Sequence, residues 1–97
     1  MKSDEIKDKY TQLMVRHLPT LRRSLRLTQT DLSKLLGVTR GTVTNIENGR
    51  TPLSWCMFIA LLGIFKNDRE ALEMMKVFGI VTPELDALML SIVKKEK

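Results

Sequence analysis

The stretch Thr28 to Pro52, TQTDLSKLLGVTRGTVTNIENGRTP, decides how the chain is read. It describes two short helices joined by a tight glycine turn. Thr28 has the side chain of an N-cap, and Asp31, three residues on, supplies the acidic half of a capping box. Leu32, Leu35 and Leu36 recur at helical spacing and predict one buried face. Gly37 follows directly, where a helix end needs a residue free to take positive φ. Val38 is apolar and Thr39 can cap a second helix, so the connection is about three residues, the length expected of a helix-turn-helix. The second helix, Arg40 to Asn48, has only Val43 and Ile46 as large aliphatics. At about 100° per residue, Gly41, Thr44, Asn45 and Asn48 fall most nearly opposite that pair, with Arg40 on the shoulder. A helix held by one narrow apolar stripe, with small, polar and basic groups outward, is suited to lie in a groove.

Downstream, Gly49 can take the left-handed stop and Pro52 prevents continuation, so Arg50 falls in an exposed turn. Ser54 then caps WCMFIALLGIF, residues 55–65, which is apolar on nearly all sides and so expected in the middle of a core. Trp55, Met57, Phe58, Leu61, Leu62 and Phe65 are its core candidates, and Cys56 reads as a small buried apolar residue. Asn67 or Asp68 caps the next helix, which stops at Gly79. Thr82-Pro83-Glu84 opens the last, with an inward stripe of Leu85, Leu88, Met89, Ile92 and Val93. Ala87 and Leu90 widen that stripe. With Met74, Met75 and Val77 they leave a surplus of apolar surface, which reads equally as core or as a dimer interface. Lys94–Lys97 reads as a solvated tail.

Upstream, residues 4–15 form an amphipathic helix on Ile6, Tyr10, Leu13 and Met14. Pro19 can start a helix or end the preceding one, and Leu18, Leu21 and Leu25 make the next inward face. His17 has no second His or Cys at ligand spacing and reads as a helix-end or packing residue. Arg22, beside Leu21 and Leu25, and Glu47, beside Ile46, each lie too near a buried stripe to be left alone.

A chain of 97 residues supports one core, hence a single domain, 1–97. Its parts are an N-terminal helix (4–15), a helix-turn-helix core (16–66) and C-terminal helices (67–97) that could dimerise. The net charge of +5 is not spread evenly. Residues 1–15 and 51–97 each balance, whereas 16–50 hold seven basic residues against only Asp31 and Glu47. A cationic field confined to one unit is the footprint of a polyanion partner. The single cysteine excludes an internal disulfide and suits a reducing cytoplasm. The N-terminus mixes Lys, Asp and Glu without the apolar core of a signal peptide. The longest apolar run, Trp55 to Phe65, is 11 residues, short of the ~18–20 that a membrane span needs. A cytoplasmic protein with no membrane partner is expected.

Leu27-Thr28-Gln29, Leu32, Leu36-Gly37-Val38-Thr39, Val43, Ile46-Glu47-Asn48-Gly49 and Pro52 together resemble the Cro/C1-type helix-turn-helix family of phage repressors and xenobiotic-response-element-like regulators. The resemblance covers about a third of the chain tightly. It implies an all-α, lambda-repressor-like bundle of about five to seven short helices. It also implies that Gln29 touches a phosphate, that Arg40, Gly41, Thr42 and Asn45 occupy base-reading positions, and that Glu47 forms a buried pair with Arg22. The sequence departs from the family at Gly41, where members often carry a longer polar side chain.

The expected function is a dimeric, sequence-specific regulator of transcription, a repressor, that binds double-stranded DNA. Arg40 has the fork that matches guanine, Asn45 the amide that suits adenine, and Thr42 and Thr44 are secondary readers. Thr28, Gln29, Lys34, Thr39, Asn48, Arg50 and Thr51 are the candidates for phosphates. Two-fold symmetry implies a near-palindromic operator with half-sites roughly 34 Å apart. The alternative is an antitoxin or co-regulator whose C-terminal helices bind another protein. With one His, one Cys, no Gly-rich phosphate loop and no ligand cluster, neither an enzyme nor a metal or cofactor is expected.

Overall fold

Side-chain caps punctuate the chain into six helices. In the computed structural model, which describes residues 3–95 and the side chains of 3–91, these are α1 (Ser3–Ser24), α2 (Gln29–Leu36), α3 (Arg40–Glu47), α4 (Trp55–Lys66), α5 (Arg69–Val77) and α6 (Pro83–Lys95). Thr28, Thr39, Ser54 and Asp68 cap α2 to α5, each accepting from a backbone N–H three residues on. Thr82 does the same for α6 through Leu85 N–H. Among the described residues there is no strand, and the fold is an all-α bundle.

α1 is the spine. Its buried side chains Tyr10, Met14, Leu18, Leu21 and Arg22 run along one face, and it touches α3, α4 and α5. Leu32 of α2, Val43 and Ile46 of α3, Phe58, Leu61, Leu62 and Phe65 of α4, and Ala71 and Met75 of α5 close the core around it. His17 is a packing residue, its ring stacked on Phe78 at 3.9 Å between centroids.

Four expectations are corrected. Pro19 neither starts nor ends a helix: it lies inside α1, which runs unbroken where a short helix over 4–15 and a second one were expected. An interior proline costs about 3 kcal/mol, but buried Met14 and Leu18 before it and Leu21 after it hold both flanks on the core. Leu35 is 59% exposed. The buried side of α2 runs through Leu32, Ser33 and partly buried Leu36, and Leu35 points away from their mean direction. The helix α4 is not enclosed: Phe58, Leu61, Leu62 and Phe65 are buried, while Cys56, Ile59, Ala60 and Gly63 form an exposed apolar face. Cys56 is therefore exposed, because α4 meets α1, α2 and α5 on one side only. At the next junction Asp68 caps α5, whereas Asn67 closes α4 by donating from Nδ2 to Gly63 O at 2.9 Å.

α1 ends in a left-handed turn. Arg26 takes φ 58°, with its N–H on Arg23 O at 2.9 Å and that of Leu27 on Arg22 O at 3.1 Å. It is the one non-glycine with positive φ among the described residues, a conformation that costs an L-residue about 1–2 kcal/mol.

In α6, Leu85 is buried and Leu88 and Met89 are half-buried, while Leu90 is exposed. Ile92 and Val93, assigned to its inward stripe, and the Lys94–Lys97 tail lie outside the residues whose side chains are described. The N-terminus of α6 is fastened to α1 by polar bonds. The hydroxyl of buried Tyr10 pairs with Thr82 and donates to Glu84 Oε1 at 2.9 Å, and Lys9 forms an ion pair with the same carboxylate. The Lys9 and Tyr10 hydrogen bonds hold the Glu84 carboxyl below its ordinary pKa. A carboxylate whose folded pKa is depressed stabilises fully above its unfolded value and loses that contribution as pH falls through the folded one. Glu84→Gln should therefore lower the melting temperature at pH 7, and the deficit should shrink steadily as thermal melts are repeated below pH 4. A deficit independent of pH would mean the carboxylate is not the fastener.

Candidate nucleic-acid interface

The local chemistry of α2 and α3 fixes both ends of each helix. Thr28 Oγ1 accepts from Asp31 N–H at 3.0 Å and Asp31 Oδ2 accepts from Thr28 N–H at 2.9 Å, a complete capping box. The Asp31 carboxyl is held below its usual range by the Thr28 backbone N–H. Gly37, at φ 73°, ends α2, and Val38 N–H reaches back to Ser33 O at 3.0 Å. Thr39 caps α3 by accepting from Thr42 N–H at 3.2 Å, and its hydroxyl pairs with that of Thr42 at 3.0 Å. After Glu47, Asn48 is the C-cap and Gly49 turns left-handed at φ 76°. Arg50 N–H and Thr51 N–H both donate to Asn45 O, at 2.9 and 3.2 Å.

One buried polar network sets how these helices sit. Arg22 Nε donates to Glu47 Oε2 at 2.8 Å and Nη2 to Oε1 at 3.2 Å, with the two side chains 10% and 5% exposed. A third donor, Nη1, bonds Leu27 O at 2.9 Å. Gln29 Nε2 adds a bond to Glu47 Oε1 at 3.0 Å, and Thr44 Oγ1 donates to Gln29 Oε1 at 2.9 Å. The network thus joins the end of α1, the loop after it, the first turn of α2 and the face of α3. The described residues contain no buried side-chain donor or acceptor left without a partner.

What remains outward is the other side of α3. Val43 and Ile46 are buried, Arg40, Gly41 and Asn48 are exposed, and Thr42 and Asn45 are half-buried. Arg50 and Thr51 are exposed just beyond, and Thr28, Lys34 and Thr39 are exposed at and along the neighbouring helix ends. Most of the residues singled out in the sequence are thus exposed or half-buried on α2, α3 and the turns that flank them. Two are placed differently from their neighbours. Thr44 is half-buried, with its hydroxyl proton directed at Gln29 Oε1 or Arg40 O. Gln29 has one amide N–H and its carbonyl committed inside the network, leaving its second N–H for an outside acceptor. Arg16, Arg23 and Arg26 are further exposed cations in the same basic region. With Arg22 and Glu47 neutralising each other inside, the positive excess of residues 16–50 lies at the surface.

Gly41 takes an ordinary helical conformation, and a Cβ there would meet only Thr39 Oγ1, at 3.8 Å. Nothing inside the fold requires a glycine. Among the described residues no three His, Cys, Asp or Glu side chains group as metal ligands. No described helix is long and apolar enough to cross a membrane.

Breaking the buried pair should cost more than removing it. Glu47→Ala should lose about 3–5 kcal/mol in urea unfolding because Arg22 stays buried and unpaired. Glu47→Ala combined with Arg22→Met should lose less. Equal losses would show that the pair is not acting as a unit.

The model of a helix-turn-helix domain matches residues 13–87, from the middle of α1 into α6. No curated protein and no solved structure matches the chain. A match over most of the length, with the motif itself seen at α2–Gly37–α3, carries one conclusion. The chain belongs to the helix-turn-helix domain family, the class in which the second helix of the motif is presented to the major groove of DNA.

Proposed function

We propose that this protein is a Cro/C1-type transcriptional repressor: a cytoplasmic, non-enzymatic homodimer that reads a near-palindromic DNA operator. The observation that carries this reading is the division of α3. It buries Val43 and Ile46 and leaves Arg40, Gly41 and Asn48 exposed, with Asn45 half-buried beside them. α3 enters the major groove while α2 crosses the backbone. Arg40 offers a two-pronged donor to guanine O6 and N7, and Asn45 an amide to adenine N6 and N7. Thr42 contributes its methyl and hydroxyl at the rim, and Thr44 supports the helix from its Gln29 side. Thr28, Lys34, Thr39, Asn48, Arg50, Thr51 and the free N–H of Gln29 hold phosphates, fixing register without reading sequence.

Gly41 supports the same reading. Gly41, in the first turn of α3, is a weaker helix former than alanine, and the space around it is open. A helix that carries this handicap without an internal reason is shaped for an outside surface that comes close. Gly41→Ala should therefore raise the melting temperature slightly while weakening operator binding.

A second reading, an antitoxin or co-regulator that docks on another protein, is favoured by one observation. Val77 is 83% and Leu90 53% exposed, and α4 shows the bare face of Cys56, Ile59, Ala60 and Gly63. Light scattering separates the two: a soluble homodimer supports self-association, and an aggregating monomer rescued by a partner supports the alternative.

The primary test is selection from a random duplex pool, which should yield symmetric sites with half-sites about one helical turn apart. On the selected site Arg40→Ala should relax preference at one position per half-site and cost roughly 1–3 kcal/mol. Arg50→Ala should weaken all sequences alike and flatten the salt dependence. Exchanged phenotypes would show that α3 is docked wrongly.

A further inference from the structure

We infer that Arg26 is an additional DNA-backbone contact, kept in an unfavourable conformation because its guanidinium is needed at the phosphates. The inference rests on the DNA-binding reading above. Three left-handed positions in the described chain, Gly37, Gly49 and Gly79, are filled by the residue that adopts them freely. The fourth, at φ 58°, is filled by Arg26. A glycine would end α1 equally well, with the same Leu27 N–H to Arg22 O closure.

The side chain gives no internal reason for the exception. Arg26 is exposed, and among the described residues its guanidinium makes no hydrogen bond or ion pair. Cations do favour the negative end of a helix, but Arg22 and Arg23 already occupy the last turn of α1. Position 26 is also tied to the reading helix. The next residue, Leu27, is bonded through its carbonyl to Arg22, which grips Glu47 of α3. Two residues beyond Leu27, Gln29 touches both Glu47 and Thr44. A charge at 26 is therefore carried on the same hydrogen-bonded unit as α3, on the segment that leads into the capped start of α2. A guanidinium there can meet the DNA backbone flanking the groove that α3 enters, and a phosphate contact needs charge and reach, not a base edge.

The test compares wild type, Arg26→Gly and Arg26→Lys on a mixed-sequence duplex of about 20 base pairs over a series of salt concentrations, with thermal melts of each protein. Arg26→Gly should melt higher and bind several-fold more weakly at low salt. The slope of log affinity against log salt should fall by about 0.9, the value for one phosphate contact. Arg26→Lys should keep the wild-type slope. An unchanged slope in Arg26→Gly overturns the assignment while leaving the DNA-binding reading intact. A lower melting temperature for Arg26→Gly overturns the argument from strain. Wild type that binds no duplex even at low salt removes the reading on which the inference rests.

Discussion

The arrangement of the helix-turn-helix depends on a single buried ion pair. α3 is eight residues long, too short to be stable alone in water, and it anchors itself with only two buried aliphatics. Its orientation comes from Glu47, whose carboxylate receives two donors from Arg22 and one from Gln29. A buried pair of this kind contributes little net stability, because two charges leave water to form it. Its value is geometric. A guanidinium and a carboxylate meet in a planar fork that tolerates little rotation, so α1, α2 and α3 are held in one relative pose. Any other pose would strand at least one charge in the core.

The same logic explains what could and could not be read from the amino acids in order. Caps and stops are local. Thr28 with Asp31, Thr39, Ser54, Gly37 and Gly49 stand where their own chemistry puts them, and the structure uses each as that chemistry requires. The narrow apolar stripe of α3 was equally legible, since Val43 and Ile46 had no competitors. The failures are all questions of what lies opposite. Pro19 is a local helix breaker overruled by packing on both sides. Leu35 and Cys56 belong to helices with more apolar residues than the core has room to cover, and periodicity alone cannot say which are left out. The joining of Gln29 to Thr44 and Glu47 follows from the crossing of two helices, for which no spacing in the sequence is diagnostic. Positive φ at Arg26 is likewise invisible in a sequence whose other left-handed stops are glycines.

The interior and the outer side of this molecule follow different rules. Inside, the polar side chains find partners and the aliphatics find neighbours. Outside, around the start of α3 and the end of α1, a helix carries a glycine that its surroundings do not demand and a turn carries an arginine where glycine would fit. Local choices that conflict with local stability are concentrated where proteins meet other molecules. Both features support the proposed DNA-binding reading independently of charge.

The carbonyl of Asn45 adds a mechanical element to that side. It accepts the N–H groups of both Arg50 and Thr51, so one peptide plane joins the last turn of α3 to the turn that follows it. In the proposed complex the group that interrogates a base and the groups that clasp the sugar-phosphate strand would then move as one lever. A wrong base at Asn45 would tilt the plane and pull the clasp from its seat, so that discrimination would register as a faster escape from DNA rather than as one missing bond.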